Sequence, residues 1–183
     1  MLEFIRFVRG DMQYYAGWAV LGPMMAAFKM GLVSAEKAKK ALLRFHFGSM
    51  REAELKRMAE AFAREVVPGL LRPEGMKALE EYKAEGHRVM LVSASLDMWL
   101  EPWARMNGLE LLCTKAAWTL EGKYSGQFAT PNCQGPEKVR RLMAVLEPAE
   151  YEAVLAYGDS SGDKEMLALA SEAHFKPFRE AGQ

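Results

Sequence analysis

After Pro73 the chain alternates short, continuous apolar runs with amphipathic segments, and this alternation restricts the fold more than any other feature. Arg88-Val89-Met90-Leu91-Val92-Ser93 is apolar at consecutive positions rather than at every second one. That is the pattern of a strand covered on both faces of a parallel sheet. A predicted helix over 73–85 precedes it and stops at Gly86; another over 97–107, carrying Trp99, Leu100 and Trp103, follows and stops at Gly108. Leu109 to Cys113 reads as the next strand, and Ala117 to Phe128, broken at Glu121-Gly122-Lys123, as a β-hairpin. Pro136 opens a helix to about Leu146, Ala153 to Tyr157 is a strand, 162–170 a helix, and Ala173 to Lys176 a last short strand. Strands separated by helices need crossover connections. The expected fold is therefore α/β, a Rossmann-like parallel sheet with ligands at the carboxyl ends of its strands.

No strand pattern occurs before residue 88. Residues 11–68 read as helix: an apolar hairpin bent at Gly22-Pro23, a helix from Ser34, and one from Ser49, where Ser49-Met50-Arg51-Glu52 has the form of a capping box. Leu55, Met58, Ala59, Phe62 and Val66 then follow at helical spacing and require a packing partner. The expected organisation is an α/β core of residues 1–9 and 69–183 with a helical cap of residues 10–68. Met1 to Val8 is apolar at helical spacing with no N-cap before it.

The 24 basic and 24 acidic side chains cancel, which argues against a broad nucleic-acid-binding surface. Ala16 to Phe28, the longest apolar stretch, falls short of the roughly 20 residues that span a bilayer, so a membrane partner is not expected. Cys113 and Cys133 are too few for a disulfide framework. Reduced thiols and a cytoplasmic location are the expectation.

Three places can carry chemistry. Ser93 and Ala94 follow the first strand directly and can turn a hydroxyl and free N–H groups toward an anion, although a strand-end Ser is commonly just a helix cap. Lys138 stands in the first turn of a helix, where the helix dipole disfavours a cation, so either it is merely exposed or it has a specific partner. Asp159 and Asp163 lie four residues apart in Gly158-Asp159-Ser160-Ser161-Gly162-Asp163 at a strand exit. Two such carboxylates suit a hard cation such as Mg²⁺; the competing reading makes Asp163 a helix N-cap.

In this order, a strand-end Ser, a Lys on a later helix and Gly-Asp-x-x-x-Asp resemble the second, third and fourth motifs of the haloacid dehalogenase-like phosphohydrolases. The likeness is to the phosphoserine-phosphatase-like branch (subfamily IB), with a helical cap before the second motif. It implies that Ser93, Ala94 and Lys138 bind the transferring phosphoryl group, that Asp159 ligates Mg²⁺, and that Asp163 ligates or braces that site. The resemblance also implies a nucleophilic aspartate in an Asp-x-Asp-x-Thr motif on a first, central strand. Only Asp11 and Asp97 remain as aspartates, and neither follows a strand, so that motif and strand are expected to be missing from this chain. The implied function is a Mg²⁺-dependent phosphatase acting on a small phosphorylated substrate, inactive as this chain stands. Self-association through the sheet edges left open is a further expectation. A degenerate phosphate-binding or interaction module and a phosphotransferase are the alternatives. Phosphoserine-specific relatives often carry Asn where Gly162 stands, which argues against phosphoserine itself.

Overall fold

The computed structural model describes residues 1–178; the last five residues of the expected core lie outside the described residues. Helices α1 (Leu2–Lys29), α2 (Ala35–Phe47), α3 (Glu52–Glu65) and α4 (Pro73–Ala84) come first. Strand β1 (Met90–Leu96), α5 (Asp97–Met106), β2 (Glu110–Thr114) and the hairpin β3 (Ala116–Trp118) and β4 (Tyr124–Phe128) follow. Then come α6 (Pro136–Leu142), β5 (Leu155–Gly158), α7 (Lys164–Leu169) and β6 (Glu172–Phe175). The α/β class and the parallel strand pairs agree with the sequence expectation.

β1 pairs in parallel with β2, and β5 in parallel with β6. Among the described residues β1 and β5 are not hydrogen-bonded to each other, so each keeps one open edge. Met90 to Ser95 of β1 are half-buried and Leu96 is fully buried, so the strand is less covered than its consecutive apolar residues predict.

Two local expectations are corrected. The helix does not turn back at Gly22-Pro23 but runs through Pro23; the break falls at Gly10, with φ 72° and ψ 168°. Gly10 reaches that backbone region without the Cβ clash that holds other residues out of it, whereas Pro23 forfeits one helical hydrogen bond in a segment packed along α2. The capping box at Ser49 does not form either. Arg51 forms a β-bridge with Lys123, the Tyr124 N–H donates to the Met50 carbonyl at 3.1 Å, and α3 starts only at Glu52. Tertiary pairing with the hairpin therefore replaces the local cap. At Ser34 the local signal holds, its hydroxyl accepting from the Lys37 N–H at 3.3 Å. The helix opened by Pro136 ends at Leu142, shorter than its apolar pattern suggested.

One core joins the helical half to the strand half. Phe4, fully buried, meets the rings of Phe47 at 5.5 Å, Phe62 at 5.2 Å and Trp99 at 5.4 Å. The α3 stripe thus finds its partner in α1 and α5. We expect Phe4→Ala to lower the unfolding free energy by about 3–5 kcal/mol, because the cavity lies where three elements meet. A shifted urea midpoint at unchanged slope is the readout.

Candidate functional site

The carboxyl end of β1 is irregular. Ser93 pairs with Cys113 and Leu96 with Thr114, adjacent positions on β2, so Ala94 and Ser95 are extra residues that bow out of the ladder. The Ser93 hydroxyl accepts from the Ser95 N–H at 3.1 Å and steadies the bow. The Ala94 carbonyl accepts from Thr114 Oγ1 at 3.1 Å and from Lys39 Nζ at 2.5 Å. Thr114 Oγ1 in turn accepts from the Cys133 N–H at 3.0 Å, tying this loop to the segment that leads into α6.

Lys138, in the first turn of α6, is 6 % exposed. Its ammonium donates to the Val92 carbonyl at 2.7 Å and to Asp163 Oδ1 at 2.6 Å. The partner that its unfavourable helical position called for is therefore Asp163. The other Asp163 oxygen accepts from the Asp159 N–H at 3.1 Å, the Ser160 N–H at 2.9 Å and the Ser160 hydroxyl at 2.7 Å. Ser160 is the cap of this turn and Asp163 its reciprocal partner, which is the capping-box arrangement. Burial pushes the Asp163 carboxyl up, but the hydrogen bonds from Lys138 and Ser160 outweigh it and hold it below its usual value.

Close approach explains the glycines. A Cβ on Gly158 would lie 2.6 Å from the Asp163 Cβ, and one on Gly162 would lie 2.7 Å from Gln134 Cγ. At Gly162 an Asn would collide with the loop that precedes α6.

Ser93, Ala94, Lys138, Asp159 and Asp163 all line one cavity of about 620 Å³ between the ends of β1 and β5. The fold thus gathers every site residue expected from the sequence. Asp97 is engaged elsewhere: its Oδ1 accepts from the Met98 and Ala116 N–H groups, each at 2.9 Å. Asp11 is bound by Arg6 at an exposed position. Of the basic residues in the helical half, Arg44, His46, Arg51 and Arg57 do not line the cavity; Lys39 does. Its signal in the sequence was its place on the buried stripe of α2, three and four residues before Leu42 and Leu43.

Hard-cation ligands are sparse: no group of three or more His, Cys, Asp or Glu comes together among the described residues. Both Asp163 oxygens are engaged within the protein, one by Lys138 and the other by the Asp159–Ser160 turn. No helix among the described residues is long and apolar enough to cross a membrane. Cys113 and Cys133 are buried free thiols, and burial pushes Cys113 up to about 12.

Parallel strands whose carboxyl ends open on a polar cavity beneath helices place the molecule in the parallel α/β class. A family model described as haloacid dehalogenase-like hydrolase matches residues 2–168, and the chain belongs to that family. It is 37 % identical over 144 residues to Protein CicA of Caulobacter vibrioides, an alignment covering 78 % of this chain and 64 % of that protein. The chain thus spans less than two-thirds of that relative's length. Among solved structures it resembles a protein of unknown function from Bordetella pertussis Tohama I, at 22 % identity and TM-score 0.73, covering 93 % of this chain and 80 % of that one. It also resembles a probable phosphoserine phosphatase from Vibrio cholerae, at 18 % identity and TM-score 0.67, covering 92 % of this chain and 49 % of that one.

Removing one member of a buried ion pair costs about 3–5 kcal/mol, and Lys138→Met should destabilise the chain by that amount. Because the Asp163 carboxyl is held low, its contribution is fully present above its unfolded value of about 4 and is lost as pH falls through the depressed folded value. The gap between wild type and Lys138→Met in urea unfolding should therefore narrow as pH is lowered from about 7 to about 3.

Proposed function

We propose that this chain carries the phosphate-binding and cation-binding residues of a Mg²⁺-dependent phosphatase that hydrolyses a small phosphomonoester. Residues 10–68 act as its cap over a core of residues 1–9 and 69–183. The observation that carries this reading is the convergence of Ser93, Lys138, Asp159 and Asp163 on one cavity from three separate elements. The Ser93 hydroxyl, the Ala94 N–H and Lys138 bind the transferring phosphoryl group. Two of the three Lys138 ammonium hydrogens are committed to Val92 and Asp163, which leaves one in a fixed direction for a phosphoryl oxygen.

Asp159 is the ligand for the cation and Asp163 is the brace that holds Lys138 and the Asp159 turn. When bound, the cation neutralises charge on the phosphoryl oxygens. Phosphoryl transfer needs such fixed positive charge and alignment above all, and the bracing of Lys138 supplies both.

Among the described residues no aspartate stands where a nucleophile is needed. Asp11 is bound by Arg6, Asp97 caps backbone N–H groups and Asp163 is held by Lys138, so none is available to attack phosphorus. The open edges of β1 and β5 flank the cavity and suit an added strand carrying that carboxylate; without it they favour self-association.

The test is Mg²⁺-dependent phosphate release from an aryl phosphate. The 183-residue chain alone should give no turnover, and a protein in which an Asp-x-Asp-x-Thr strand is fused ahead of Met1 should be active. In that protein Asp159→Ala should lower kcat/KM by at least about 100-fold, the scale on which removing one preorganised charge stabiliser acts. Turnover by the 183 residues alone, or activity indifferent to Asp159, would sink the reading.

A further inference from the structure

One face of α1 has no cover among the described residues. From residue 12 to residue 28 the helix carries no charged side chain. It packs along α2 on the side of its buried Gly17, where a Cβ would lie 2.4 Å from His46 Nε2 and 3.3 Å from the Phe45 ring. The opposite side points outward. Met12, Tyr15, Val20 and Met30 are 61–84 % exposed, and Ala16, Ala19, Pro23 and Ala26 between them are exposed as well. A helix that is apolar all round is ordinarily buried all round.

The size and layout of this face indicate what covers it. With Leu32 in the following turn and Phe45 beside Gly17, 76 % and 42 % exposed, its large side chains present on the order of 700 Å² of apolar surface, given about 150–250 Å² for a whole aromatic side chain. The largest patch on an ordinary monomer is about 300–600 Å², and a stable interface takes about 800 Å² from each partner. Met12, Ala16, Ala19, Pro23, Ala26 and Met30 run down its middle at alternating spacings of four and three, the spacing at which one helix lies along another. Alanine at the centre suits a second helix approaching closely, whereas a helix lying on a bilayer presents Trp, Phe or Leu there. Charge fixes the direction. Asp11 and Lys29 bound the uncharged stretch 18 residues apart, about five turns, and therefore stand on one side of α1. A second α1 running antiparallel sets Lys29 of each copy opposite Asp11 of the other; Arg6 already binds Asp11, but a carboxylate has acceptor sites for a second cation.

We propose that the outer face of α1 is the interface of a two-fold dimer of this chain, in which two copies of α1 pack antiparallel. With Asp11 opposite Lys29, the two-fold axis passes Val20, midway between them. A two-fold axis is the commonest way for a chain to cover one self-complementary face. Residues 11–30 do not line the cavity, so the pair leaves it open, and the interface is separate from the open edges of β1 and β5.

The experiment is disulfide trapping in the 183-residue protein, read on a non-reducing gel. Cys113 and Cys133 are buried, so an added surface cysteine reports alone. Position 19 is one residue from the two-fold axis, and Ala19→Cys should give mostly the linked dimer. Ala26 is on the same stripe, but antiparallel pairing separates the two copies of position 26 by about 18 Å along the helix, beyond the roughly 7 Å between Cα atoms that a disulfide spans. Ala26→Cys should therefore stay unlinked. Light scattering should show a dimer for the unaltered chain, and Ala19→Glu, which sets two carboxylates face to face in an apolar seam, should raise its dissociation constant at least about tenfold while keeping the wild-type circular dichroism. Linking of both cysteine variants makes the pair parallel, and linking of neither in a dimer that survives Ala19→Glu puts the association at the strand edges; either result overturns the proposal. A monomer overturns it too, and if that monomer sediments with phosphatidylglycerol vesicles the face is a lipid contact instead. Should Ala19→Glu lose its helical circular dichroism, Ala16→Lys with the same readout decides the matter.

Discussion

A buried ion pair between Lys138 and Asp163 holds the candidate site together. Its members stand on α6 and on the turn after β5, and through Val92 the ammonium also reaches the end of β1. The pair works together with a backbone hydrogen bond from the Gly135 N–H at the start of α6 to the Gly162 carbonyl at 2.9 Å, and the three elements are thereby fixed around one point. Such a pair is not an economical way to stabilise a fold, since the desolvation of two charges offsets much of their attraction. Its value lies in direction: a lysine bound on two sides presents its remaining hydrogen along one line. Gly158 belongs to the same constraint, because any side chain there would displace the Asp163 carboxylate.

Around that pair the structure is divided in an unusual way. The two parallel strand pairs end side by side on the cavity but share no hydrogen bonds among the described residues, while the helical half is bound to β1, α5 and the hairpin by one aromatic cluster. Packing through Phe4, Phe47, Phe62 and Trp99 is what brings α2 close enough for Lys39 to touch the bowed loop. Core packing and site geometry are thus one problem here. A change in the aromatic cluster reaches the cavity through α2.

Much of this was legible along the chain. The consecutive apolar residues of β1, the glycines that end α4 and α5, and the strand-turn-helix around Asp159 depend on local rules, and each element formed within a few residues of its expected bounds. Local rules failed where a distant partner offered more. At Ser49 the hairpin took the backbone groups that a capping box would have used. Along α1, packing on α2 carried the helix through Pro23, and the bend moved to Gly10.

By itself the sequence determined the fold class and the order of the elements, and it singled out Ser93, Lys138, Asp159 and Asp163 as candidates, because periodicity and motif spacing are properties of neighbouring residues. Only the tertiary structure decided the partners of Asp163. Lys138, Ser160 and the Asp159 N–H saturate its carboxylate, and that depends on where α6 lies in space. It alone also brought Lys39 to the cavity, 55 positions along the chain from the carbonyl it binds, a proximity that packing creates and no spacing encodes.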